Sequence, residues 1–207
     1  YNYWGDPEGP KSIPQNTLYN PWLTEPIVYA EITYPLVGET VSATVKVSAD
    51  ARAKNGINKV EFYVDDQLEY TDLDSPYEWN WDTTQYDETS HKITAKTCDV
   101  FGLKFSAFKT VFVDNTSPTV SITEPLSGNT YYGTVTIGVN ATDNREVSNV
   151  RVKIDNGEWL VMPYNSTDSL WKYDLNTTTL SDGNHTLMVL ALDKAGNPAT
   201  TSITVLI

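Results

Sequence analysis

The sequence predicts an all-β chain built from two tandem antiparallel β-sandwiches, and three observations carry that prediction. Apolar and polar residues alternate over short runs, turn-forming residues separate those runs, and the whole pattern occurs twice, about ninety residues apart. No window shows a helical period.

The duplication can be read residue by residue. Residues 31–65 lie over residues 121–155 at an offset of 90 without a gap. Ile32, Thr33, Pro35, Leu36, Gly38 and Thr40 then fall on Ile122, Thr123, Pro125, Leu126, Gly128 and Thr130. With small loop gaps, Trp79-Asn80-Trp81-Asp82 meets Trp171-Lys172-Tyr173-Asp174. His91 meets His185, and Asp99 and Gly102 meet Asp193 and Gly196.

Each copy breaks into strands. Val41, Ala43, Val45, Val47 and Ala49 recur at every second residue, as one half-buried strand requires. Val60, Phe62 and Val64 form the next, with Lys59, Glu61 and Tyr63 on the opposite face. Ile93, Ala95 and Thr97 follow, and Val111 and Val113 close the copy. The second copy repeats the scheme in Val150, Val152 and Ile154, and closes on Ile203, Val205 and Ile207. Turns are signalled at Asp65-Asp66, Asp155-Asn156-Gly157, Asp182-Gly183-Asn184 and Ala195-Gly196-Asn197. Six or seven short strands per ~90 residues with such turns describe a sandwich. The polar run Asp114-Asn115-Thr116-Ser117-Pro118 joins the copies, and its proline biases Ser117 toward an extended backbone. The expected boundaries are 27–114 and 115–207, preceded by an irregular segment over 1–26 that carries five prolines and no alternating run.

Charge removes whole classes of function. The net charge is −13, with 14 Lys plus Arg against 27 Asp plus Glu. Such a chain repels phosphate backbones and anionic lipid surfaces, so neither nucleic acid nor membrane insertion is expected of it. No apolar run approaches the ~20 residues that span a bilayer. Cys98 stands alone, which leaves no internal disulfide and reads as a packed apolar residue. The chain opens on Tyr1 with no signal peptide, so it reads as a piece of a longer protein.

No catalytic centre assembles from these residues. His91 and His185 occupy equivalent places in the two copies, which marks them as features of the fold, bonded to a turn carbonyl. There is no phosphate-cradling loop and no cysteine–histidine zinc pattern, and no cofactor is expected. Calcium is the one ionic candidate, with Asp143, Asp155 and Asp65 offering loop oxygens. Among the aromatic residues, Trp159 has no counterpart in the other copy and follows a turn, so it is the candidate ligand contact. Trp79 and Trp81 read as core. Five Asn-x-Ser/Thr glycosylation acceptors occur, at Asn115, Asn140, Asn165, Asn176 and Asn184. The apolar final strand, ending in Ile203-Thr204-Val205-Leu206-Ile207, offers an edge for a neighbour.

An Ile-Thr-x-Pro-x-x-Gly opening, a Val-x-Val-x-(Val/Ile)-Asp strand, a Trp-x-(Trp/Tyr)-Asp strand and a His-x-(Ile/Leu) strand ending in Asp-x-x-Gly appear in both copies or nearly so. Over roughly residues 28–207 this pattern resembles the bacterial and archaeal immunoglobulin-like domains of surface-layer proteins, adhesins and secreted hydrolases. Tyr1-Asn2-Tyr3-Trp4-Gly5-Asp6-Pro7-Glu8-Gly9-Pro10 resembles the closing segment of right-handed parallel β-helix domains in archaeal surface proteins. The resemblance implies two immunoglobulin-like sandwiches acting outside the cell or on its surface as a non-catalytic spacer, glycosylated at some of the five asparagines. Its partners would be neighbouring domains of the same protein, cell-wall polysaccharide or other surface proteins. The rival readings are a carbohydrate- or protein-binding adhesion module and an accessory part of a secreted hydrolase.

Overall fold

The computed structural model describes residues 28–207, so the β-helix-like opening expected over 1–26 lies outside the described residues. By its sheets the chain forms two units, each an antiparallel sandwich, with the strands up to Val113 in the first and those from Thr119 in the second.

In the first unit the strands are β1 (Val28–Tyr34), β2 (Thr40–Val41), β3 (Thr44–Ala53), β4 (Ile57–Val64), β5 (Gln67–Asp72), β6 (Tyr77–Asp82), β7 (Ser90–Asp99) and β8 (Lys104–Val113). One sheet runs β1-β3-β6 and the other β2-β8-β7-β4-β5. The second unit holds β9 (Thr119–Glu124), β10 (Thr134–Thr142), β11 (Val147–Ile154), β12 (Leu160–Val161), β13 (Tyr164–Asn165), β14 (Leu170–Asn176), β15 (Asn184–Asp193) and β16 (Pro198–Leu206). Its sheets run β13-β14-β10-β9 and β12-β11-β15-β16.

The alternating pattern becomes the core. Val45, Val47, Val60, Phe62, Val64, Ile93, Ala95, Val111 and Val113 are all buried in the first unit. Ile137, Val139, Val150, Val152, Leu187, Val189, Ala191 and Val205 do the same in the second, with Met162 filling the space beside them. Each strand buries one face and wets the other, so a shift of one residue would invert every side chain.

Two expectations change in detail. Val41 to Ala49 is not one strand, because the backbone breaks at Ala43, which takes a positive φ of 53°. The break lets the chain leave β2 in one sheet and begin β3 in the other, and Gly133 (φ 76°) occupies the same place in the second copy. The pairing of the tryptophan strands also moves by two residues. Val45 lies opposite Trp81 and Val47 opposite Trp79, whereas Val135 lies opposite Leu175 and Ile137 opposite Tyr173. Trp79 and Trp81 therefore correspond to Tyr173 and Leu175, not to Trp171 and Tyr173. A slip of two leaves every side chain on its own face, so alternation alone cannot detect it.

What fixes the register is the turn that follows. Asp82 caps the one-turn 3-10 helix Thr83–Gln85 by accepting from the Thr84 amide, and Asn176 caps Thr177–Thr179 through the Thr178 amide. Thr83 and Thr177 each donate a hydroxyl, at 2.9 Å, to the carbonyls of Ala43 and Gly133.

Candidate functional site

Among the described residues, three constellations contain side chains able to do chemistry. The first is the pair of histidines. His91 is buried at the start of β7, with Nδ1 2.6 Å from Asp65 Oδ2 and Nε2 2.8 Å from the Asp87 carbonyl. His185 repeats this at the start of β15, with Nδ1 2.7 Å from Asp155 Oδ2 and Nε2 2.8 Å from the Ser181 carbonyl. A carboxylate and a carbonyl only accept, so each ring faces an acceptor at both of its nitrogens. The hydrogen bond to Asp155, reinforced by the Ser181 carbonyl, raises the pKa of His185. At Asp65, burial pulls the pKa upward, but the Lys92 amide and His91 outweigh it and the net shift is downward.

Two of the calcium candidates, Asp65 and Asp155, belong to these pairs. Asp65 Oδ1 accepts from the Lys92 amide and Asp155 Oδ1 from the Thr186 amide, so both oxygens of each carboxylate are already engaged. Each aspartate sits at a positive-φ turn position and fastens the turn to the neighbouring strand.

The second constellation is aromatic. Trp81 is fully buried and meets Tyr86 edge-on at 5.2 Å and His91 at 6.2 Å. Trp79 is half-buried between Phe62 and Trp81. Trp159 is half-buried as well, and the Lys153 ammonium lies 5.0 Å from its ring centroid, so a sugar would have to displace a cation from that face. One shallow depression of about 430 Å³ lies beside Lys172 and Tyr173, and another of about 290 Å³ beside Asp50 and Tyr77.

The third constellation was only one-third anticipated. Asp143, in the β10–β11 turn, comes together with Asp114 and Asp193, and each offers one carboxylate oxygen within 4.8 Å of the others. Asp114 and Asp193 are buried, at 0% and 2% exposure. One oxygen of each is held by backbone amides. Thr116 donates to Asp114 Oδ1, Arg145 and Glu146 to Asp143 Oδ2, and Gly196 and Asn197 to Asp193 Oδ1. Burial pushes the pKa of Asp114 up, and the neighbouring charges of Asp143 and Asp193 add to the shift against the hydrogen bonds from Asn144 and Thr116.

Of the glycosylation acceptors, Asn140, Asn165, Asn176 and Asn184 are exposed and Asn115 is half-buried. Cys98 is buried, and burial raises its pKa, which leaves a thiol and no nucleophile.

The model of the bacterial Ig domain matches residues 29–95 and again residues 118–189, about two thirds of the chain and once per sandwich. The chain belongs to the bacterial Ig domain family. No curated protein matches it in sequence. Among solved structures, these Ig domains are similar to the fibronectin(III)-like modules of CbhA from Clostridium thermocellum, with 24% identity and a TM-score of 0.62. That match covers 86% of this chain and 94% of that one, and it shows the same fold. A bacterial ice-binding adhesin matches at 22% identity and a TM-score of 0.38, over 86% of this chain and 62% of that one. The endo-β-1,4-mannanase of Thermotoga petrophila matches at 23% identity and a TM-score of 0.38, over 45% of this chain and 20% of that one. Among the described residues no helix is long and apolar enough to cross a membrane.

Asp114 and Asp193 were the residues of these Ig domains that sequence reasoning missed. The available signal was an asymmetry between the copies: Asp193 has its counterpart in Asp99, but Asp143 faces Ala53 in the alignment, and a third aspartate waits in the linker.

Proposed function

We propose that this chain is a non-catalytic structural module of an extracellular or cell-surface multidomain protein, a spacer that positions other domains. One observation carries this reading. The groups that could act as general bases, His91 and His185, spend both ring nitrogens on fastening equivalent turns in both copies. A residue duplicated in the same structural duty serves the scaffold. The fold shared with the CbhA modules, and the four exposed sequons, support a place outside the cell and a glycosylated surface.

A binding role is the second reading, favoured by Tyr164, which is 53% exposed and packs on Trp171 at 5.2 Å. Affinity electrophoresis through gels carrying cell-wall and plant polysaccharides separates the two. A spacer migrates alike in every gel. Retardation in one gel, abolished by Trp159→Ala or Tyr164→Ala, would make this an adhesion or carbohydrate-binding module and overturn the spacer reading.

A further inference from the structure

We propose that Asp114, Asp143 and Asp193 form a binding site for one hard divalent cation in the second sandwich, selective for calcium over magnesium. Two oxygens bound to the same calcium at ~2.4 Å can be at most ~4.8 Å apart, and the three carboxylates meet that limit. Their arrangement is that of ligands and not of a hydrogen-bonded cluster. Asp114 is completely buried, yet its Oδ2 has no hydrogen-bond partner, and Oδ1 of Asp143 has none either. In each case the other oxygen is fixed by backbone amides, which orients the carboxylate and leaves the second oxygen directed elsewhere. Asp193 Oδ2 accepts from Asn197 Nδ2, and that amide also donates to the carbonyls of Asp114 and Thr116. Buried carboxylates gathered this closely repel one another unless a cation or protons neutralise them.

The donor set chooses the metal. Three carboxylates with no histidine or cysteine suit a hard ion and not zinc or copper. Magnesium holds most of its waters and takes one or two carboxylates, whereas calcium accepts six to eight oxygens in irregular geometry. Three segments far apart in sequence supply the ligands: the stretch before β9, the β10–β11 turn and the end of β15. An ion there would join all three at one end of the sandwich. The first copy supplies an internal contrast. Asp99 keeps the position of Asp193 and likewise has an unpartnered Oδ2, but Ala53 replaces Asp143, and no second group of this kind occurs among the described residues.

The test uses the whole chain after treatment with a chelator. Calorimetric titration with calcium chloride should give one site, and saturating calcium should raise the Tm of a calorimetric transition by roughly 5 °C or more. Magnesium at the same concentration should raise it less. Asp143→Ala, which installs the residue of the first copy, should abolish both the heat and the calcium-dependent shift. In chelator its Tm should equal or exceed that of the wild type, because one of three like charges is gone. Asp143→Asn, which keeps the shape, should weaken binding at least tenfold. A wild-type titration without heat or Tm shift overturns the proposal. So does an Asp143→Ala variant that responds to calcium like the wild type, or one whose Tm is lowered equally with and without calcium, as a purely structural aspartate would require.

Discussion

At the scale of single residues, the histidines show how a titratable group becomes part of the scaffold. His185 binds its proton more tightly when folded than when unfolded, through Asp155 and the Ser181 carbonyl. Its contribution to stability is therefore complete below the unfolded value of about 6.5 and is lost as pH rises through the raised folded value. Asp155 is shifted the other way, by the Thr186 amide and by His185, so its contribution is present above about pH 4 and lost as pH falls through the depressed value. The pair works best between those limits. Thermal unfolding from about pH 5 to about pH 9 should show the Tm of the wild type declining on the alkaline side, with the decline reduced in His185→Gln. An identical profile in the variant would sink this account. Trp81 is the residue on which the first core depends most, being wholly buried against Tyr86, His91 and Trp79. Trp81→Ala should cost about 3–5 kcal/mol in chemical denaturation. Trp159→Ala, at a half-buried site covered by a lysine, should cost far less.

At the scale of elements, the strands were legible where alternation was uninterrupted, as in β4, β7 and β15. The limits of legibility follow from the same periodicity. A strand repeats every two residues, so the alignment of Trp79 and Trp81 could slip by two without moving any side chain to the wrong face. The caps Asp82 and Asn176 resolve the ambiguity because each has a single place before its 3-10 turn. Likewise the break at Ala43 was hidden, since alternation continues across it while the backbone turns from one sheet to the other. Strands β12 and β13, of two residues each, are too short to show any period. The caps themselves can be tested. Asn176→Ala removes the acceptor for the Thr178 amide and hydroxyl and should destabilise the second sandwich by about 1 kcal/mol, whereas Asn176→Ser or Asn176→Asp should recover most of the loss. Equal losses in all three would show that the cap contributes little.

At the scale of the whole molecule, charge is the property most readily read from sequence and the carboxylate cluster the least. Residues 114, 143 and 193 come together only because the sandwich brings a linker, a turn and a strand end to one place, and no local spacing encodes that. Net charge needs no such assembly. The chain carries −13, and the excess is spread over both copies: 14 acidic against eight basic residues in 28–113, and ten against five in 114–207. Ion pairs such as Lys46–Glu78 and Lys92–Asp66 relieve part of the repulsion, but they are exposed and worth little individually. Repulsion within each sandwich should therefore dominate the response to monovalent salt. Raising sodium chloride from about 0.01 M to 0.15 M shortens the screening length from roughly 30 Å to 8 Å, comparable to the spacing of surface charges. With chelator present throughout, so that no divalent ion contributes, the Tm should rise by a few degrees over that range. The opposite slope would mean that the local pairs outweigh the net charge. Calcium added afterwards should raise the Tm again at constant ionic strength in the wild type and not in Asp143→Ala, which separates a bound ion from a screening one.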